Sequence, residues 1–179
     1  MIMNKLSAYS GKNKKAFSIM EVMISAFILS VGLTAVIALM AGNIKNSINA
    51  RDSIIASGLA QEGVELVRNI RDNNFVNNPE NPFLWLDETG GKKIAYNEPL
   101  GNSNTFALYY SGNGFYDHGL GGTVTKFRRK ISIANYVDVG TGRKITSTVW
   151  WDGSVNVPSS CNIATKCVYV EDILTDWIN

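Results

Sequence analysis

Residues that could catalyse a reaction are scarce in this sequence of 179 residues. His118 is the sole histidine and the one residue that could act as the base of a nucleophilic triad. It lies in the glycine-rich stretch 117–122, which has neither the glycine spacing of a phosphate-binding loop nor a strand and a helix around it. We therefore expect His118 to be an ordinary loop residue and the chain not to be an enzyme.

Metal ligands are equally scarce. Three acids, Glu171, Asp172 and Asp176, lie close together near the C-terminus. They lack the spacing of an EF-hand, so we expect a solvated acidic segment there. One histidine and two cysteines do not make a zinc-binding set either. The sequence predicts neither a metal nor another cofactor.

The two cysteines, Cys161 and Cys167, are six positions apart. In an exported segment they could close a small disulfide loop, because oxidising compartments favour disulfides. Two reduced thiols are the alternative that the sequence leaves open.

One basic cluster, Lys126, Arg128, Arg129 and Lys130, surrounds Phe127. Basic residues interleaved with an aromatic ring can contact DNA. The same pattern is typical of a strand whose charges prevent edge-to-edge aggregation, and we favour that interpretation. The formal net charge of +2 does not argue for nucleic acid, because the first 16 residues hold four lysines and no acid and their removal leaves −2.

The most unusual acid is Glu21, which lies just inside a long apolar run. Residues 22–42 contain no ionisable group, and a helix of that length spans about 30 Å, the thickness of a bilayer's hydrocarbon core. The lysines before the run predict that the N-terminus stays in the cytoplasm and that the chain after Gly42 lies outside. An ordinary secretory signal would have a small-residue cleavage site after the run, and this chain has none.

The segment around Glu21 resembles the leader junction of the type IV pilin superfamily. In that family a basic leader ends in Gly or Ala, and Phe, a small or polar residue, two further residues, Glu and the apolar helix follow. Ala16, Phe17, Ser18 and Glu21 match this pattern in order. The family usually has Gly where this chain has Ala16.

The resemblance implies that a prepilin peptidase cleaves between Ala16 and Phe17 and that the new amine of Phe17 is methylated. It also implies that the helix packs into a filament, where the carboxylate of Glu21 pairs with the Phe17 amine of a neighbour. The partners would be other pilin or pseudopilin subunits and the inner-membrane assembly platform. Many major pilins have a helix-kinking proline where this chain has Ala38, so the chain is more similar to minor pilins and minor pseudopilins.

No proline interrupts the chain from Phe17 to about Asn73, which predicts one continuous helix. Residues 17–42 would form its membrane half and residues 43–74 an amphipathic half. The second half carries an apolar stripe that repeats every eleven residues, or about three helical turns, and that we expect to pack on a sheet. The stripe consists of Ile44, Ile48, Ile55, Leu59, Leu66 and Ile70.

Residues 75–104 contain three of the four prolines and are predicted to be a linker. Residues 105–179 should form a head of three to four antiparallel strands, so the fold class is α+β, with the amphipathic half of the helix laid on a small antiparallel sheet. The predicted strands are Phe106–Tyr110, Lys126–Tyr136, Lys144–Trp151 and Val168–Val170, of which the middle two form a hairpin.

These features predict a structural protein, a minor subunit of a type IV pilus or of a related type II secretion or competence filament. Residues 1–16 would be its leader. The rest would be a single-pass protein of the cytoplasmic membrane before it enters a filament at the cell surface or in the periplasm. Two alternatives remain open, a minor pilin that binds DNA during uptake and a bitopic membrane protein that never polymerises.

Overall fold

A computed structural model of the chain describes residues 16–84, 86, 90–119, 121–136 and 142–175. By its internal contacts the chain divides into two units, Met1–Ser47 and Ile48–Asn179. One helix begins in the first unit and ends in the second, and all the strands among the described residues belong to the second. We call the second unit the head.

The helix, α1, runs without interruption over Ile19–Asn77. Its first backbone hydrogen bonds are donated by the amides of Glu21 and Val22 to the carbonyl of Ser18, at 3.0 and 3.2 Å. It ends just before Pro79, because a proline disfavours helical geometry in the residue that precedes it. The prediction of one long helix is confirmed.

The described part of the head contains one antiparallel sheet of seven strands. They are β1 Lys92–Ala95, β2 Glu98–Asn102, β3 Ala107–Tyr110, β4 Tyr116–Asp117, β5 Thr123–Tyr136, β6 Gly142–Trp150 and β7 Cys167–Leu174. The longest strand, β5, pairs on one side with β6, which in turn pairs with β7. On its other side β5 pairs with β3 and with β1, and these pair outward with β4 and β2.

The α+β class is confirmed, but the sheet is larger than the three to four strands predicted. Two of the additional strands, β1 and β2, lie within residues 75–104, for which the sequence predicts a linker. Pro99 and Gly101 disfavour a strand, so the sequence does not predict β2. The structure tolerates them there because an edge strand needs no hydrogen-bond partner on its outer side. The predicted hairpin of β5 and β6 is present, while most of its turn, residues 137–141, lies outside the described residues.

The face of α1 that packs on the sheet has the small residues Ala56, Ala60 and Gly63 at its centre. Of the predicted stripe, Leu59 is buried and Ile55, Leu66 and Ile70 pack partly buried against the core, as predicted, whereas Ile44 and Ile48 are more than half exposed. Small side chains occupy the centre of the interface because they let the helix backbone approach the sheet. The larger Ile and Leu residues of the predicted stripe therefore lie mostly at the margin of the interface. The buried residues of α1 are Asp52, Ala56, Leu59, Ala60, Gly63, Val64, Val67 and Arg71.

Gly63 is the glycine of α1 that lies against the sheet. A Cβ atom at this position would lie 2.5 Å from Oγ of Ser147 and 2.9 Å from Cδ1 of Ile131. These separations are shorter than van der Waals contact, so any larger residue would push the sheet away from the helix.

The end of β6 is buried on both faces of the sheet. Val149 and Trp150 are neighbours whose side chains point to opposite faces, and both are fully buried. On the face opposite α1, the ring of Trp150 packs against Phe106 with centroids 6.0 Å apart, and Nε1 donates to the carbonyl of Ser154 at 2.9 Å. The segment between β6 and β7 therefore covers this end of the sheet.

Candidate functional site

The predicted leader junction lies directly before α1. Ala16, Phe17 and Ser18 are exposed and are not part of the helix, which begins at Ile19. The peptide bond between Ala16 and Phe17 is thus in exposed, non-helical backbone, the form that proteases cut most readily. The preceding residues 1–15, with all four lysines of the predicted leader, lie outside the described residues.

Glu21 is exposed in the first turn of α1. An acid at this position is favoured by the partial positive charge at the N-terminus of a helix. The carboxylate lies on the surface of the helix, so a cation on another chain can reach it.

The apolar run of α1 is exposed along its whole length, and the helix is long and apolar enough to cross a membrane. Its hydroxyl groups are satisfied within the helix. Ser25, Ser30 and Thr34 donate to backbone carbonyls of the preceding turn at 2.7, 2.8 and 2.8 Å. Hydroxyls paired in this way oppose insertion into hydrocarbon less than unpaired ones would.

The family model of the prokaryotic N-terminal methylation motif matches residues 11–37 of the chain. This is the type IV prepilin signature. The match contains Ala16, Phe17, Glu21 and most of the apolar run. No curated protein and no solved structure matches the chain.

The prepilin signature and the apolar helix together indicate a pilin-like protein that is anchored in a membrane through its N-terminus. The signature implies processing by a prepilin peptidase and assembly with other pilins. It also indicates a structural rather than a catalytic protein.

In the head, the four members of the basic cluster do not form one surface. Lys126 is paired with Asp52 of α1, with Nζ 2.5 Å from Oδ2. Lys130 lies over the ring of Phe106, with Nζ 6.0 Å from the ring centroid. Arg128 is partly buried.

Arg129 does not belong to the exposed basic cluster that the sequence suggests, because its side chain is fully buried between α1 and the sheet. Its guanidinium donates to the carbonyls of Leu59 and Ile94 at 3.0 and 2.6 Å, and Nη1 lies 3.3 Å from Oε1 of Glu62. Burial lowers the pKa of Arg129, and the nearby carboxylate of Glu62 opposes that shift. A buried and paired guanidinium cannot contact DNA. It links the helix to the sheet instead.

The inward orientation of Arg129 follows from the alternation of β5. Phe127, Ile131 and Ile133 are buried at alternate positions, and Arg129 occupies the same row. Gly63 of α1 provides part of the space, because a Cβ there would lie 3.1 Å from Cδ of the arginine. The alternation of apolar residues on both sides of Arg129 was the signal in the sequence that its side chain points inward. The basic residues next to it suggested an exposed cluster instead.

His118 lies in the loop directly after β4, as predicted, and its side chain is buried. Its Nδ1 donates to the carbonyl of Ala107 at 2.9 Å, and the residue is 8% exposed. Burial lowers the pKa of His118 to about 4, and the positive charge of Arg129 adds to the shift. Glu98 favours the protonated form and Lys93 opposes it, both more weakly. His118 is therefore neutral at pH 7 and serves the packing of this part of the head.

The cysteines lie just before β7 and at its first residue. Cys161 and Cys167 are joined by a disulfide, with their Cα atoms 4.9 Å apart. The bond closes a short loop in which Ile163 is exposed. The loop therefore presents an apolar side chain next to an edge of the sheet.

The acidic residues near the C-terminus have basic partners in the head. Nζ of Lys144 lies 2.9 Å from the carboxylate of Glu171, and Nη2 of Arg68 lies 2.7 Å from that of Asp172. Asp176 lies outside the described residues. Within the described residues, no group of His, Cys, Asp and Glu side chains is arranged to hold a metal ion.

Proposed function

We propose that the chain is a minor structural subunit of a type IV pilus or of a related type II secretion or competence filament. The observation that supports this most is the apolar part of α1, residues 22–42, which is exposed along its length and lies mostly within the matched signature. Such a surface is covered by lipid when the protein is in the membrane and by other helices when it is in a filament.

The first step would be cleavage between Ala16 and Phe17 by a prepilin peptidase, in the exposed backbone before α1. Cleavage removes the lysine-rich leader and creates an α-amine on Phe17, which is then methylated. We expect Ala16→Gly to be processed normally, whereas Ala16→Glu should retain its leader, because a charged side chain replaces the small residue before the cut.

The second step would be assembly through α1. Glu21 costs energy in an apolar environment unless a cation compensates it. In a filament, the Phe17 amine of a neighbouring subunit would supply that cation, so that both charges are paired where the dielectric constant is low. This sequence of events requires three kinds of partner, namely the peptidase, the membrane assembly platform and neighbouring pilin-like subunits.

A minor rather than a major subunit is supported by the uninterrupted course of α1. Many major pilins have a kinking proline within this helix, and the corresponding residue here is Ala38. The DNA-binding alternative is weakened by the burial of Arg129 and by the pairing of Lys126 with Asp52.

The decisive experiment compares wild type with Glu21→Val. The variant is more apolar, so it should insert in the membrane and be cleaved at Phe17 as wild type is. It should be at least about a hundredfold depleted from sheared filaments, because removing one partner of a buried ion pair costs roughly 3–5 kcal/mol. Mass spectrometry of membrane and filament fractions measures both quantities.

Glu80→Val, at an exposed acid of the head, is the matched control and should enter filaments normally. A mature chain that begins near Gly42 or keeps its leader would exclude processing as a prepilin. Wild-type recovery of Glu21→Val in filaments would exclude the role of Glu21. Absence of the wild-type chain from filaments would favour the bitopic protein that never polymerises.

A further inference from the structure

The edges of the sheet differ in how they are protected against a further strand. Among the described strands, the edges are β2, β4 and β7. β2 contains Pro99 and Gly101 and shifts register against β1, and β4 has only two residues. Prolines, irregular pairing and shortness all discourage strand addition. β7 has none of these features, since its eight residues pair with β6 in an unbroken register.

Charge does not protect β7 either. Its two acids are the only charged residues within Cys167–Leu174, and both are neutralised. Lys144 pairs with Glu171 and lowers the pKa of that carboxyl, and Arg68 pairs with Asp172. The strand therefore presents an edge whose charges are all compensated within the head.

Apolar side chains are exposed beside this edge. Tyr169 and Ile173 of β7 are 53% and 43% exposed, and Ile163 of the disulfide loop is 69% exposed. A shallow hollow of about 530 Å³ lies beside the first part of the strand and is lined by residues that include Ile163 and Tyr169.

We propose that β7 is a strand-addition site, which pairs through its backbone with an extended, uncharged segment of a different subunit in the same filament. The backbone groups on the outer side of β7 supply the hydrogen bonds, and the hollow beside Tyr169 receives an apolar side chain of the added strand. The compensated charges of the edge match an uncharged segment better than a basic or acidic one. This inference rests on the proposed function.

The β7 strand of a second copy is a poorer occupant. Pairing of an edge with itself is a two-fold contact, which closes after two subunits. A filament grows through contacts between two different surfaces, so the added strand should come from another part of a neighbouring subunit.

Site-specific photo-crosslinking tests the proposal in intact filaments. p-Benzoylphenylalanine replaces Tyr169 in one full-length variant and Ile173 in another, and the crosslinked peptides are identified by mass spectrometry. Strand pairing predicts that both probes attach to the same segment of another subunit. Their two attachment sites should be about four residues apart, because the probes are four residues apart and paired strands have the same rise per residue. The same probe at Tyr110, which is 45% exposed on β3, should not attach to that segment.

A charged edge provides a second measurement. Ile173→Lys should lower the yield of adduct from position 169 by roughly tenfold, because lysine opposes strand addition at an edge. Val155→Lys is the matched control, since Val155 is 60% exposed outside the strands, and it should leave the yield unchanged.

The outcomes separate the inference from the proposed function. Attachment sites that do not shift with probe position, adducts between two β7 strands, or no adducts in filaments that contain the chain would overturn strand addition alone. Absence of the chain from filaments would overturn the proposed function and this inference with it.

Discussion

The two halves of α1 share one backbone conformation and have opposite surroundings. Every residue of 22–42 is exposed, although the run is almost wholly apolar. In the head, by contrast, the helix buries Ala56, Ala60 and Val67 completely against the sheet. Apolar composition alone therefore does not reveal what covers a helix. The first half has no face covered by the described head, whereas the second half has one face covered by its own chain.

Charge differs between the halves in the same way. Glu21 lies at the start of an apolar segment, and the cation that we propose as its partner lies on another chain. Glu62 lies 3.3 Å from Arg129 within the head. Substitutions in the first half should therefore change assembly, and substitutions in the second should change the stability of the head.

The largest effect on stability is expected from Leu59→Asp. Leu59 is 4% exposed, so a carboxylate there would be buried without a partner and should cost several kcal/mol, enough to unfold the head. Ile48→Asp is the matched control from the same predicted stripe, and because Ile48 is 51% exposed the free energy of unfolding should change by at most about 0.5 kcal/mol. Circular dichroism melts of the detergent-solubilised chains test this. Equal melting of the two variants would contradict the packing of α1 described here.

A second test uses pH, because the head contains a buried histidine and residues 22–42 contain no ionisable group. The pKa of His118 falls from 6.5 to about 4 on folding, so between these values the unfolded chain binds more protons. The contribution of His118 to the free energy of unfolding is fully present above pH 6.5. It is lost as the pH falls towards 4, by up to about 1.4 kcal/mol per pH unit.

His118→Asn provides the control for this pH dependence. Asparagine retains an N–H group near the position of Nδ1 but does not titrate. Urea unfolding at pH 7, 5.5 and 4.5 should therefore show a weaker loss of stability in the variant than in wild type. The same loss in both proteins would assign the effect to another group.

The disulfide should stabilise the head and have no effect on the membrane half of α1. Cys161→Ser is expected to lower the free energy of unfolding by about 2 kcal/mol, because the unfolded chain loses a short covalent loop. Reductant should destabilise wild type to a similar extent and have no further effect on the variant. Insertion of α1 in the membrane should be the same in both, and a change in insertion would contradict the separation of the two halves.

The smallest predicted effect concerns two glycines of α1. Gly63→Ala should destabilise the head by about 1 kcal/mol or more, because the new Cβ would lie 2.5 Å from Oγ of Ser147. Gly58→Ala should instead stabilise it by up to about 1 kcal/mol, because no atom lies within 4 Å and alanine favours the helix. Chemical unfolding of both variants measures the difference, and shifts of the same sign would contradict the close contact at Gly63.

The sequence by itself determined the N-terminal part of this protein. The match at residues 11–37 and the helix that begins at Ile19 depend on residue types that are close together in the chain. Membrane length, helix continuity and the leader junction are local properties, so spacing and composition are sufficient to predict them. The strands β5 and β6 were predictable for a similar reason, since apolar residues alternate along them over several positions.

Only the tertiary structure decided how the head is built around that helix. The sequence pattern did not reveal that Arg129 is buried, because a charged residue can lie inside when Glu62 and two carbonyls surround it, and these come from distant parts of the chain. The same holds for Gly63, whose importance depends on Ser147 of a distant strand. The short strands β1, β2 and β4 are stabilised by their neighbours in the sheet rather than by their own sequences, and such long-range pairing leaves little local signal.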